Sequence, residues 1–318
     1  MDALSDVLRT SHFRSALFLH AEFTAPWCLF ARMTGELCAP YMGATKHLIP
    51  YHYIVEGDLF VRVGDGEPLL LRQGELVLFP RNDSHTMGSD LKLSPKLVKD
   101  LVLPSVNGGL FTIRHGGGGA MTRMVCGYIG LDSSRENPVI ATLPAIMSFR
   151  MEDAGPAEWI RSTFKYAADE IAAGRPGSET VLAKLSELLF VEAVRRYAEN
   201  LPPEQTGWLA GLRDNAVARA LALMHGNVAR NWSVEEISSE VGLSRSTLSE
   251  RFTRVIGMAP MQYLAHWRMQ VAAQRLKGTS TPLARIAELV GYESEASFSR
   301  AFKRAFGTAP ATWRRSAG

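Results

Sequence analysis

The chain has 318 residues, 46% of them hydrophobic and 21% charged, and carries a formal net charge of +3. That length is long for one core and suits two or three domains, and the composition is ordinary for a soluble globular protein. No apolar run reaches the roughly 18 residues of a membrane span, and the start, MDALSDVLRTSHF, has no apolar signal-peptide core, so a cytoplasmic protein with no membrane partner is expected.

DALSDVLRT reads as a short amphipathic helix and HFRSALFLHAEF as a strand, broken at Ala25, Pro26 and Trp27. From Leu48 short strands alternate with turns: YHYIVEG, DLFVRV, Gly64-Asp65-Gly66, PLLLRQG, ELVLFPRNDSH. This spacing predicts a β-sandwich or barrel. Between Ser89 and Ala120 the pattern dissolves, with Pro95, Pro104, Asn107-Gly108-Gly109 and the run Gly116 to Gly119, and the expectation is a flexible linker. The run lacks the Lys-Ser/Thr and following helix of a phosphate loop. TRMVCGYIGLD reads as a returning strand.

Gly74, Pro80 and His85 resemble the second motif of the cupin fold, with Asn82 at the place of a glycine, and YHYIVEGDLFVRV resembles the end of the first motif. The metal-binding half of that first motif is missing, because only His47, Pro50 and His52 stand where His-x-His and Glu belong. A metal needs three or four ligands, so neither a metal nor a cofactor is expected. If Tyr51 and Tyr53 face outward, His52 faces in. A small-molecule pocket lined by some of Trp27, Arg32, His52 and His85 is then expected. Cys28, Cys38 and Cys126 do not suit a disulfide scaffold; they are either small buried residues or a redox sensor.

Residues 156 to 200 read as two helices, PAEWIRSTFKYAADEIAAG and SETVLAKLSELLFVEAVRRYAEN, joined at Gly174 to Gly177. Leu182, Leu185, Leu188, Leu189, Val191 and Val194 make an apolar band wide enough for packing on the barrel or for a dimer interface. Leu201-Pro-Pro-Glu-Gln-Thr reads as a linker before the helix LRDNAVARALALMHGN. The expected boundaries are 1–150 for the sensor or ligand-binding domain, 151–205 for a helical linker and dimerisation region, and 206–318 for the C-terminal domain.

From Ser233 to Trp313 one pattern occurs twice, as SVEEISSEVGLSRSTLSERFTRVIGMAPMQYL and PLARIAELVGYESEASFSRAFKRAFGTAPATWR. Ile237, Gly242, Leu248, Phe252, Gly257 and Pro260 recur as Ile286, Gly291, Phe298, Phe302, Gly307 and Pro310. Each copy reads as a helix, a tight turn at glycine and a second helix capped by Ser244 or Ser294. PMQYLAHWRMQVAAQRLKG reads as one helix between them, from a first-turn proline to a terminal glycine. From Thr206 onward there are 15 Lys and Arg against 8 Asp and Glu, a basic domain suited to DNA phosphates.

This segment resembles the DNA-binding domain of the AraC/XylS family of bacterial transcription regulators, most specifically in AELVGYESEASFSRAFKRAFGTAPATWRR. The resemblance implies an α+β multidomain protein, with a cupin-like β-barrel, a helical pair and an all-α domain of two helix-turn-helix motifs. It implies a homodimer that is not an enzyme and that binds promoter DNA and RNA polymerase under control of an unidentified small-molecule or redox effector. Base reading falls to Arg245, Ser246, Ser249 and Glu250 in the first copy and to Glu295, Ala296, Ser299 and Arg300 in the second, with Lys303 and Arg304 on phosphates. The alternative is a metal-dependent cupin oxygenase or isomerase with a DNA-binding tail.

Overall fold

A computed structural model describes residues 2–10, 13–32, 34–35, 45, 47–102, 111–131, 137–150, 162, 166, 177–202 and 204–316. The chain forms two compact units, one from residues 12–136 and 143–197, the other from 1–11, 137–142 and 198–318.

The first unit is built on two sheets. Strands β1 (Phe13–Thr24), β3 (His47–Glu56), β6 (Glu75–Leu78), β9 (Phe111–Gly116), β10 (Met121–Leu131) and β11 (Met147–Arg150) form one, in the order β11-β6-β3-β10-β1-β9. The other holds β2 (Cys28–Ala31), β4 (Asp58–Val63), β5 (Leu69–Arg72), β7 (His85–Gly88) and β8 (Lys96–Leu97), ordered β5-β4-β7-β2-β8. Alternate residues of both sheets share one apolar core, including Leu19, Ala21, Phe23, Ile54 and Met124 from the first and Leu29, Leu59, Val61, Leu71 and Met87 from the second. The registers put His52 opposite Cys126 and Val77, both core residues, so His52 faces in, while Tyr51 and Tyr53 take the other face and are buried there too.

One expectation fails within residues 89–120, because part of that stretch is sheet rather than linker. FTIRHG is β9, paired in parallel with β1 from Leu19↔Phe111 to Thr24↔Gly116, while residues 103–110 lie outside the described residues. The glycines that suggest flexibility serve close approach instead. Gly117 N–H donates to Thr24 O at 2.8 Å and Gly119 N–H to Ala25 O at 2.8 Å, and a Cβ on Gly116 would lie 1.9 Å from Thr24 O.

Of the helical pair, SETVLAKLSELLFVEAVRRYAE forms α3 (Ser178–Glu199), whereas the partner helix lies outside the described residues except for Ser162 and Tyr166. Tyr51 Oη is 3.0 Å from Ser186 Oγ, and Leu189, Phe190, Ala193 and Val194 are buried, so one face of α3 is a packing face. Leu188 of the predicted apolar band stays 49% exposed and so takes no part in that packing.

The second unit is helical. It contains α1 (Ala3–Thr10), α2 (Pro138–Thr142), α4 (Trp208–Gly211), α5 (Asn215–Gly226), α6 (Val234–Val241), α7 (Arg245–Ile256), α8 (Pro260–Gly278), α9 (Leu283–Leu289), α10 (Glu295–Phe306) and α11 (Pro310–Ser316). The units therefore cross the boundaries read from sequence at 150 and 205. The apolar face of α1, with Ala3, Val7 and Leu8 buried, packs by α5, and α2 packs by α4. A short apolar face goes where a complementary one exists, whatever the chain order. Among the described residues no helix is long and apolar enough to cross a membrane.

Candidate functional site

Each repeat folds as a helix-turn-helix whose ends are set by local chemistry. Ser233 and Glu236 form a capping box on α6, with Ser233 Oγ accepting from Glu236 N at 3.1 Å and Glu236 Oε2 from Ser233 N at 2.8 Å. Gly242 and Gly291 take φ of 74° and 78° in the two turns, and Ser244 and Ser294 cap α7 and α10 by accepting from Thr247 N and Ser297 N.

Burial then separates the two faces of each second helix. Leu248, Phe252, Phe298 and Phe302 are 0% exposed and form the cores. Arg245, Ser246 and Glu250 on α7 are exposed, as are Glu295, Ala296, Arg300, Lys303 and Arg304 on α10, while Ser249 and Ser299 are half-buried. Arg245 Nη1 lies 2.7 Å from Glu235 Oε1 on α6, an exposed pair whose modest energy of about 0–1 kcal/mol leaves the arginine free to exchange partners. Among the described residues Arg300 makes no ion pair. Arg251, although on α7, is tied back to the Asp214 carboxylate at 2.6 Å and so belongs to the scaffold.

The first head is stiffened by a buried polar chain. Trp208 Nε1–H donates to Tyr263 Oη at 2.7 Å, Tyr263 Oη lies 2.7 Å from His225 Nε2, and His225 stacks on Trp267 at 4.0 Å. Burial pushes the His225 pKa down to about 3. The second head has an apolar core of Met269, Ala272, Ala273, Leu276, Ile286, Ala287, Val290, Phe298 and Phe302.

Sequence reasoning missed Arg268 of α8. Its guanidinium donates from Nε to Val228 O at 3.0 Å and from Nη2 to Arg230 O at 2.8 Å, and it lies over the Tyr292 ring at 6.0 Å. The available signal was an arginine wedged between the core positions Trp267 and Met269.

In the sheet unit, Trp27, His52 and His85 are buried at 1%, 4% and 2% exposure, whereas Arg32 is exposed just past β2 and so does not join the buried three. His52 Nε2 is 3.2 Å from His85 Nε2, and His85 stacks flat on Phe79 at 3.7 Å. The protons can be placed. His85 Nδ1 faces Asp83 O at 3.1 Å and must carry the hydrogen, so His85 Nε2 accepts from His52 Nε2–H. His52 Nδ1 is then a bare acceptor, and neither it nor the Trp27 Nε1–H donor has a partner among the described residues. A cupin metal would need further ligands. No group of three His, Cys, Asp or Glu suited to a metal occurs among the described residues, so the two histidines do not fit such a centre.

Burial raises the Cys126 thiol far above its ordinary value, and burial together with Asp90 raises Cys28. Neither has thiolate character, and Cys38 lies outside the described residues.

Burial, and for His52 the neighbouring imidazole, hold both cupin histidines below their ordinary pKa, with His85 at about 4. Above pH 6.5 these rings are neutral both folded and unfolded. As the pH falls below that, the unfolded chain takes up protons the folded chain refuses, and stability drops by roughly 1.4 kcal/mol per pH unit for each such histidine. The melting temperature is therefore expected to fall between pH 6.5 and 4.5. A flat profile across that window would contradict neutral burial.

Two stacked sheets and two helix-turn-helix motifs in one chain define the class as a cupin-type domain followed by a double helix-turn-helix domain. The chain matches the cupin family over residues 2–199 and a helix-turn-helix domain over residues 237–316. It is 31% identical over 324 residues to an AraC-like transcription regulator of Streptomyces antibioticus, covering 99% of both chains. To the transcriptional regulator AlkR of Acinetobacter baylyi it is 28% identical, again over 99% of both. A solved AraC-type regulator from Chromobacterium violaceum is 28% identical over 34% of this chain and 96% of its own, with a TM-score of 0.33. The chain belongs to the AraC family of transcription regulators with an N-terminal cupin domain. It is a DNA-binding regulator rather than a cupin enzyme.

Proposed function

We propose that the protein reads a two-box promoter site, inserting α7 and α10 into successive major grooves. The observation that carries this reading is the pair of exposed polar faces on two capped, core-anchored helices, at equivalent places in the repeat. In the first box Arg245, Ser246, Ser249 and Glu250 meet base edges; in the second Glu295, Ala296, Ser299 and Arg300 do, while Lys303 and Arg304 hold phosphates. Selection of duplexes from a random library by the full chain tests it. The expected product is a motif of two boxes centred about one helical turn, roughly 10 base pairs, apart. Recovery of no enriched motif would defeat the reading.

The effector is a small molecule held in the cupin core. The His52 acceptor and Trp27 donor, unmatched among the described residues, support a ligand with both hydrogen-bonding roles, and the raised Cys28 and Cys126 thiols favour this over oxidation at those two cysteines. The ligand regulates only if it favours one arrangement of the molecule over another. Exposed Leu188 and half-buried Leu185 on α3 support homodimerisation there, and the family supports contact with RNA polymerase in the cytoplasm.

A further inference from the structure

Helix α8 belongs to both heads. Its first half gives Tyr263, Leu264 and Trp267 to the core beside Phe252 and His225, and its second half gives Met269, Ala272, Ala273 and Leu276 to the core of Phe298 and Phe302. Arg268 sits at the changeover. Two of its N–H groups hold Val228 O and Arg230 O, in the loop that follows α5 in the first head. Its other side meets the second head's turn, where a Cβ on Gly291 would lie 2.7 Å from Arg268 Nη2 and 2.7 Å from Ala229 O, and where Tyr292 presents its ring. Gly291 is thus glycine for two reasons, its left-handed φ and the backbone and guanidinium pressed against it.

No carboxylate pairs with Arg268 among the described residues; its donors go to carbonyls and its face to a ring. Such a contact is directional. A planar fork bonding two carbonyls of one turn, with the other turn against its edge, leaves little freedom to rotate one head about α8 relative to the other.

We propose that Arg268 is a positioning residue that fixes the separation and rotation of the two reading helices, and so the spacing of the two boxes the protein accepts. This rests on reading by both heads. One base pair inserted between boxes moves the second by about 3.4 Å and about 35°, more than a rigid pair of heads can follow.

The test uses the full chain and the two-box duplex obtained by selection, with derivatives carrying one base pair more or fewer between the boxes. The wild type is expected to bind the altered spacings about tenfold or more weakly, the loss of one head's base contacts. In Arg268→Ala that discrimination falls to about threefold or less, since either head can then adjust to the duplex. Arg268→Lys keeps the stem and the charge but reaches at most one carbonyl, and gives an intermediate value in a chain that folds even if the alanine variant does not. A purely structural role would lower the melting temperature and overall affinity but leave the spacing ratio untouched. An unchanged ratio in the lysine variant, or in a folded alanine variant, overturns the proposal. A wild type indifferent to spacing overturns two-headed reading itself and takes the proposal with it.

Discussion

Phe302→Ala is expected to unfold the second head and leave the first standing. Phe302 is 0% exposed and its ring lies 5.7 Å from Phe298, 4.6 Å from Phe306 and 5.8 Å from Trp313, so it joins α10 to α11 and to the α8 and α9 core. Truncating a buried phenylalanine costs about 3–5 kcal/mol, through lost transfer energy and the cavity left behind. A core of nine buried residues has few others to make up the loss. Amide exchange should show protection collapsing across residues 283–316 while that of α5 to α7 survives. Footprints on the selected duplex should shrink to the first box. Protection lost equally in both heads would instead mean that they fold as one cooperative unit.

Arg300→Ala is expected to weaken binding to the selected duplex by about 5- to 150-fold, the equivalent of 1–3 kcal/mol for a bidentate contact to guanine. The loss should fall on one base pair of the second box. Arg300 is exposed on the second helix of its repeat, one turn beyond Ala296 and without an ion pair among the described residues, so its guanidinium is available to a base edge. Lys303→Ala provides the contrast, weakening all duplexes alike and lowering the salt dependence by about one phosphate contact. Binding titrations over variants of the box decide between the two roles. If Arg300→Ala behaves as Lys303→Ala is expected to, the arginine holds a phosphate and another residue reads the base.

The capped helices were legible in the sequence because capping is local chemistry. Ser233 and Glu236 stand three residues apart in the chain and bond each other in space. The alternation of YHYIVEG put His52 on the face opposite Tyr51 and Tyr53, but all three are buried, and pairing with Cys126 and Val77 decided which face meets the core. FTIRHG was missed because strand identity there comes from pairing with β1, a partner about 90 residues away that no local signal names.

By itself, then, the sequence determined the repeat, its caps and turns, and the apolar faces of α7 and α10, all written in local spacing along the chain. Only the tertiary structure decided that α1 and α2 join the helical unit, that His52 and His85 share one hydrogen bond across 33 positions, and that Arg268 reaches Val228 across 40. A residue's periodicity says which way it faces. What it meets there depends on how distant segments pack, because apolar burial is non-directional and selects partners by shape rather than by order in the chain.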